Sequence, residues 1–280
     1  MLKLAAFADE ISPQLDEQIA VCRANGVTHF ELRGVYGKNV LDFDGALREE
    51  IKTKLAAHRM GVISIGSPIG KAKIDEPWEP HFERFKIAVD AAEFFNAPFV
   101  RLFSYYAPAG APASDIRKHR DEVLRRFRDK VDYLNDHPGV TLVHENEKDI
   151  YGELGQGCID LMQSINSPKL RMAFDFANFV QAGQDPLACW PALKPFTAHI
   201  HIKDAIAGSG KVVPAGQGDG KIEPILADAY ASGYRGFVSL EPHLKVAGHS
   251  HGETGPELFK TAADALKQLC RRIGVPLAGA

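Results

Sequence analysis

The sequence predicts one α/β domain over residues 1–280, folded as a (β/α)8 TIM barrel. Three observations predict it. Short apolar runs of strand length alternate with longer amphipathic runs eight times, with no linker or break in composition between them. No GxGxxG follows the first run, so the doubly wound open sheet lacks its nucleotide-binding signature. The last four short runs each end in a metal-ligand residue: Glu145, Asp175, His201 and Glu241. In a parallel barrel the C-terminal ends of the strands share one rim, and there the four would meet.

The units follow in order. Lys3–Phe7 reads as the first strand and Leu15–Asn25 as its helix, with Ser12-Pro13 as the start signal and Asn25-Gly26 as the C-terminal cap. Thr28–Leu32 and Gly45–Arg59 form the second unit. Val62–Gly66 precedes Pro80–Phe95, where Phe82, Phe85, Val89, Ala92 and Phe95 make a helical stripe suited to packing on a sheet. Phe99–Phe103 precedes Ile116–Asp136, which Asp136-His-Pro-Gly139 closes. Val140–Glu145 leads to Gly157–Ile165, and Arg171–Asp175 to Pro186–Leu193. Ala198–Ile202 leads to Glu223–Ser232, capped by Ser232-Gly233, and Phe237–Glu241 to Pro256–Arg272.

Composition narrows the function. The chain is 45% hydrophobic with a formal net charge of −3, which excludes the basic footprint of a nucleic-acid or anionic-membrane binder. The basic cluster Arg117–Arg120 and Arg125–Arg128 is interleaved with Asp121, Glu122 and Asp129 and reads as the solvated face of a helix. Cys22, Cys158, Cys189 and Cys270 are scattered without CxxC spacing, as expected of buried thiols in a reduced, cytoplasmic protein. The N-terminal apolar run is too short for a signal peptide, and no run has membrane-spanning length. The sequence is compatible with a homo-oligomer but does not specify one.

Strand parity sorts the rim residues. Side chains alternate along a strand, so Val143 shares the inward face with Glu145, and His144 points to the helices. By the same count Ala173 goes with Asp175, His199 with His201, and Ser239 with Glu241. Three carboxylates and an imidazole make an oxygen-rich set that suits one divalent ion. Mn2+, Mg2+ or Co2+ fit best, and Zn2+ is compatible. The plainer alternative is that these carboxylates only pair with arginine and lysine around the mouth. One such pairing is ordinary, whereas four successive strand ends of ligand type are not.

Five motifs carry a resemblance: Leu142-Val-His-Glu-Asn-Glu147, Phe174-Asp-Phe-Ala-Asn178, His199-Ile-His-Ile-Lys-Asp204, Gly216-Gln-Gly-Asp-Gly220 and Leu240-Glu-Pro-His243. With the opening Phe7-Ala-Asp-Glu-Ile11 and Glu31-Leu-Arg33, the chain resembles the xylose-isomerase-like TIM-barrel superfamily, in particular its sugar phosphate isomerase/epimerase group. The resemblance implies a divalent metal held by Glu145, Asp175, His201 and Glu241, and a small carbohydrate as substrate. It also implies that Glu145 and Glu241 are catalytic, one taking and one returning a proton beside the substrate carbonyl. Such a base needs a pKa nearer neutrality than free glutamate. Well-known sugar epimerases of this kind often carry His three residues after the metal Asp; here Asn178 stands there, able to donate to a sugar hydroxyl. A lyase resembling inosose dehydratases is the second reading. An endonuclease-IV-like nuclease is disfavoured, because its extra histidines are missing from Glu31-Leu-Arg33 and Gly66-Ser-Pro68. A sugar-binding barrel without chemistry is disfavoured by the intact ligand set.

Further substrate-binding candidates are Lys203, Arg101, His243, Lys71 and Arg33, each weighed against an ordinary ion pair. Lys203 faces the mouth two residues after His201, and its alternative is a salt bridge to Glu241. Arg101 lies within a strand, where its charge needs a partner such as Glu145. Glu31 and Arg33 are expected to pair with each other or to touch substrate. His199 is expected behind the ligands rather than among them, and Asp204 is expected to anchor the loop after it. The glycines of Gly216–Gly220 either admit a ligand to the backbone or only shape a turn. His249-Ser-His251 reads as a solvated loop.

Overall fold

The structure is a computed structural model that describes residues 1–247 and 252–278. Eight parallel strands close into a barrel: β1 Lys3–Ala6, β2 His29–Leu32, β3 Gly61–Ile65, β4 Phe99–Leu102, β5 Thr141–Glu145, β6 Leu170–Asp175, β7 Thr197–Ile202 and β8 Phe237–Leu240. Each pairs with its neighbours in sequence, and β8 closes on β1 with Lys3 opposite Phe237. The surrounding helices are α1 Leu15–Ala24, α2 Gly45–Ala57, α3 Trp78–Phe95, α4 Arg120–Tyr133, α5 Gly155–Ile165, α6 Phe176–Gln181, α7 Pro186–Leu193, α8 Ile222–Ala231 and α9 Pro256–Arg272. Every expected strand and helix is present, within a few residues at its ends.

The departures have local causes. Pro13 lies ahead of α1 rather than in its first turn; Ser12 Oγ accepts from Gln14 N at 3.1 Å and starts the bend. The expected helix Ile116–Asp136 is α4 flanked by 3-10 turns at Ala113–His119 and Leu134–Asp136. Helix α6 was not expected. It begins directly after β6 because the Asp175 carboxylate accepts from Asn178 N at 2.7 Å, capping the first turn. The basic face of α4 is not all solvated. Arg126 is buried and donates to the carbonyls of Ile74 and Glu76, and Lys130 is buried among Trp78, Tyr105 and Phe127. The four cysteines are free, and Cys22, Cys158 and Cys270 are buried. His249-Ser-His251 lies outside the described residues. Among the described residues no helix is long and apolar enough to cross a membrane.

Two cores result from strand parity. Outward strand side chains such as Leu4, Phe30, Leu102, Leu142, Phe174 and Ile200 join the helix stripes in one large cluster. Inward side chains meet partners from across the barrel, which only an interior permits. The Phe7 ring lies 5.3 Å from the His201 ring, and the guanidinium groups of Arg33 and Arg101 stack on Phe7 at 4.6 and 4.7 Å. His144 points out as parity requires, with its ring 6.0 Å from Phe127 of α4.

The rim after β3 depends on one glycine. Gly70 sits at φ +90°, and an added Cβ would stand 1.9 Å from the Phe103 carbonyl oxygen. Its carbonyl accepts from Tyr105 N at 3.0 Å, fixing the loop that carries Lys71. Gly70→Ala should cost about 3 kcal/mol, from backbone strain plus overpacking. Urea denaturation reads this directly, and a loss below about 1 kcal/mol would contradict the packing described.

Candidate metal centre

The four expected ligands converge. One ligand atom each from Glu145, Asp175, His201 and Glu241 lies within 4.8 Å of the others, and all four side chains are buried. Glu145 and Asp175 end β5 and β6, His201 is the penultimate residue of β7, and Glu241 stands one residue beyond β8. His201 Nδ1 is 3.1 Å from Glu145 Oε1 and 3.7 Å from Glu241 Oε2, so this nitrogen faces the cluster. Its Nε2 faces Glu31 Oε2 at 3.2 Å, and the same oxygen meets His199 Nε2 at 2.7 Å. A carboxylate behind a ligating imidazole fixes its tautomer and orientation.

Cations surround the carboxylates. Arg101 Nη1 is 3.0 Å from Glu145 Oε2 and 3.6 Å from Glu241 Oε1. Arg33 donates to Asp9 at 2.7 Å and to Glu241 Oε1 at 3.1 Å, so it does not pair with Glu31. Lys203 Nζ lies 3.2 Å from Asp175 Oδ2 and 3.3 Å from Glu241 Oε2. His243 Nε2 lies 3.2 Å from Glu10 and 3.5 Å from Glu241. Asn178 Nδ2 is directed inward, donating to the Asn146 carbonyl at 2.7 Å and to Glu145 Oε1 at 3.3 Å. Lys71 stands further out, 3.1 Å from Glu147 and over the Phe103 ring.

These neighbours set the protonation states. Burial pushes every carboxylate up, but His201 and Arg101 hold Glu145 down at about 2. Against the same burial, Lys203, His243 and His201 hold Glu241 well below the usual range. The expectation of a glutamate tuned toward neutrality is therefore not met with the metal absent, because too many cations face both side chains. Asp175 goes the other way, to about 7, chiefly from burial, which wins over the pull of Lys203 with added repulsion from Glu145 and Glu241. Burial opposes the charge on His201, yet Glu31 and Glu145 raise it well above the ordinary histidine value. Glu10 raises His243 to about 9 in the same way.

The residues fit a divalent ion on two grounds. Asp175 Oδ2 and both nitrogens of His201 are buried with ion-pair contacts at 3.1–3.7 Å but no well-formed hydrogen bond, although Asp175 Oδ1 is used as a helix cap. Buried polar atoms are rarely left so unless something else binds them. The fully buried groups at the mouth are also unbalanced. Five carboxylates (Glu10, Glu31, Glu145, Asp175, Glu241) face three permanent cations (Arg33, Arg101, Lys203), and Asp9 engages Arg33 as well, so the mouth is rich in acidic groups. Two neighbouring triads, Glu31/His199/His201 and Glu10/Glu241/His243, also have ligand-type atoms. The first is joined by the short His199–Glu31 contact. In the second, Glu10 accepts from His243 N at 2.9 Å and Thr254 Oγ1 at 2.7 Å, tying the loop after β8 to the loop after β1.

Sequence reading missed Phe7, Asp9 and Glu10 as parts of the mouth. Their only signal was position, directly after β1, in the motif Phe7-Ala-Asp-Glu-Ile11.

With this geometry in place, comparison with known proteins is informative. The xylose isomerase-like TIM barrel family matches residues 19–269. The chain belongs to that family. A 3-dehydroshikimate dehydratase from Bacillus anthracis is 21% identical over 180 residues, 64% of this chain and 62% of that relative. A family member from Mycobacterium smegmatis, solved in complex with magnesium, superposes with a TM-score of 0.71 at 17% identity, over 97% of both chains. A D-allulose 3-epimerase from Methylomonas sp., solved with D-allulose, gives 0.74 at 16% identity, again over 97% of both. At these identities the structural likeness bears on the fold.

Two outcomes are expected. His201 is protonated in the metal-free site, and ligation needs a neutral imidazole, so a divalent ion must expel that proton. Affinity should fall as pH falls, with between about one and two protons released per ion at neutral pH, one from His201 and part of another from Asp175. Calorimetry in two buffers of different ionisation enthalpy measures this, and pH-independent binding without proton release would contradict it. Glu31→Gln should weaken binding of Mn2+ by about 10- to 100-fold, through loss of the carboxylate behind His201. Unchanged affinity by electron paramagnetic resonance titration would remove that role.

Proposed function

We propose that the protein is a divalent-metal-dependent isomerase or epimerase that moves a proton beside the carbonyl of a small polyhydroxylated substrate. The observation that carries this reading is the placement of Glu145 and Glu241. Each turns one oxygen toward His201 and the other toward an arginine, and Arg101 Nη1 reaches both carboxylates. Two carboxylates held in this way can take a proton at one and return it from the other. When bound, the ion would supply Lewis-acid stabilisation of the negative charge that develops on the substrate oxygen.

The chain's own side chains supply the rest. Asp175 and His201 act as ligands, with Asp175 fixed by its α6 cap and His201 by Glu31. Lys203, reaching Asp175 and Glu241 from the rim, is placed to donate to a substrate oxygen once the carboxylates turn to the ion. Arg101 and Arg33 hold the far oxygens of the two glutamates, and Asn178 holds Glu145 from the α6 side. His243 contacts Glu241 at 3.5 Å, Lys71 pairs with Glu147 further out, and His199 stands behind His201 on Glu31.

A lyase on the same site is the second reading, favoured by the similarity to a 3-dehydroshikimate dehydratase. It shares the proton abstraction and differs in the fate of a neighbouring hydroxyl, which would leave as water with a proton from a group such as Lys203 or His243.

A screen for solvent deuterium entering recovered ketoses and related hydroxy-carbonyl compounds tests both readings. Exchange without loss of water supports the isomerase or epimerase. Loss of water supports the lyase, and no exchange by the metal-loaded protein across the panel overturns both. Glu241→Gln should lower turnover by about 1000-fold or more while leaving the melting profile intact. Full activity in that variant would end the role of Glu241 as a base.

A further inference from the structure

We infer that the substrate carries no phosphoryl group, because two places among the described residues where this barrel could hold one are already committed to the chain's own carboxylates. The inference rests on the proposed function and sharpens its substrate class to unphosphorylated polyhydroxylated carbonyl compounds.

The first such place is the glycine-rich loop Gly216–Gly220, between β7 and the N-terminus of α8. Loops in this part of a (β/α)8 barrel frequently bind phosphate through backbone amides. Here four amides converge on Asp204. Gly216 N and Gly218 N donate to Oδ2 at 2.8 and 3.0 Å, and Ala205 N and Gly220 N donate to Oδ1 at 2.9 Å each. Asp204 is 1% exposed. The glycines are shaped around it: a Cβ on Gly218 or Gly220 would come within 2.5 or 2.7 Å of Asp204 Oδ1. The anion nest therefore exists and is full. A phosphate could enter only by expelling a buried carboxylate from all four of its hydrogen bonds.

The second place is a cavity of about 570 Å³ between the loops after β1, β2 and β8. It adjoins the metal centre through Arg33, which bonds Glu241. Among the described residues its cations each have a carboxylate partner: Arg33 is buried on Asp9 and Glu241, and the exposed Lys38 and Lys245 lie 3.4 Å from Asp44 and 3.5 Å from Glu253. Three carboxylates, Asp9, Glu10 and Glu253, line the same cavity. Asp9 Oδ1 is buried without a hydrogen-bond partner, while Glu10 Oε1 meets His243 Nε2 at 3.2 Å and Arg33 Nη2 at 3.7 Å. A free carboxylate oxygen beside a guanidinium matches a hydroxyl group, which both donates and accepts. A phosphate dianion only accepts, and here it would meet like charge.

The test reads anion binding and needs no turnover, so it stands apart from the deuterium screen. Calorimetric titrations use the chain with and without Mg2+. The probes are inorganic phosphate, glycerol with glycerol 3-phosphate, and xylitol with xylitol 5-phosphate. The phosphoryl group should improve binding by no more than about threefold in either pair. A gain of about tenfold or more, with or without Mg2+, overturns the inference. Asp204→Ala empties the nest and should bind inorganic phosphate at least about tenfold more tightly than the parent chain. Equal binding by a folded variant overturns the assignment of Asp204 as the resident anion. Where that variant does not fold, the matched pairs on the parent chain decide the question alone.

Discussion

The charge imbalance at the barrel mouth is the constraint on which the rest of the structure depends. Burying five carboxylates beside three permanent cations is costly unless further positive charge is supplied. Without an ion, the site supplies it as protons on His201 and His243, whose values are raised by the carboxylates they face. A divalent ion would supply positive charge in their place. Glu31 steadies His201, and Glu10 holds the loop after β8 against the loop after β1.

The barrel makes this arrangement possible by putting side chains of opposite strands in contact. Phe7 is the clearest case. Its ring from β1 supports Arg33 from β2 and Arg101 from β4 while its edge meets His201 from β7. The arginines are thereby held flat and aimed at the two glutamates. The helices take no direct part, with one exception. Helix α6 starts on Asp175 itself, so one oxygen of that carboxylate is spent on backbone and the other stays open to the cluster.

Much of this was readable from the sequence because it follows from period and position. Alternation along β5 separated Glu145 from His144, and the contact of His144 with Phe127 agrees; position along β7 put His201 nearer the strand end than His199, which meets Glu31. Other parts depend on which side chains meet across the barrel, and one-dimensional pattern carries no trace of that. Glu31 and Arg33 are neighbours by parity, yet they turn to different partners, because two histidines await Glu31 and Asp9 and Glu241 await Arg33. Asn178 read as a donor to substrate, but the unexpected α6 turns its amide onto Glu145 and Asn146. Arg126 read as solvated because charge spacing along a helix does not reveal an aromatic wall on the neighbouring element. The glycine-rich loop was ambiguous for a similar reason: its ligand is a side chain twelve or more residues earlier.

A crystal structure of the protein grown with Mn2+, with data collected for manganese anomalous scattering, tests the central claim most directly. The account predicts one strong anomalous peak, bounded by Glu145, Asp175, His201 Nδ1 and Glu241, and none between Glu10 and His243 or between Glu31 and His199. A fully occupied peak at either neighbouring triad, or no peak among the four ligands, would contradict it.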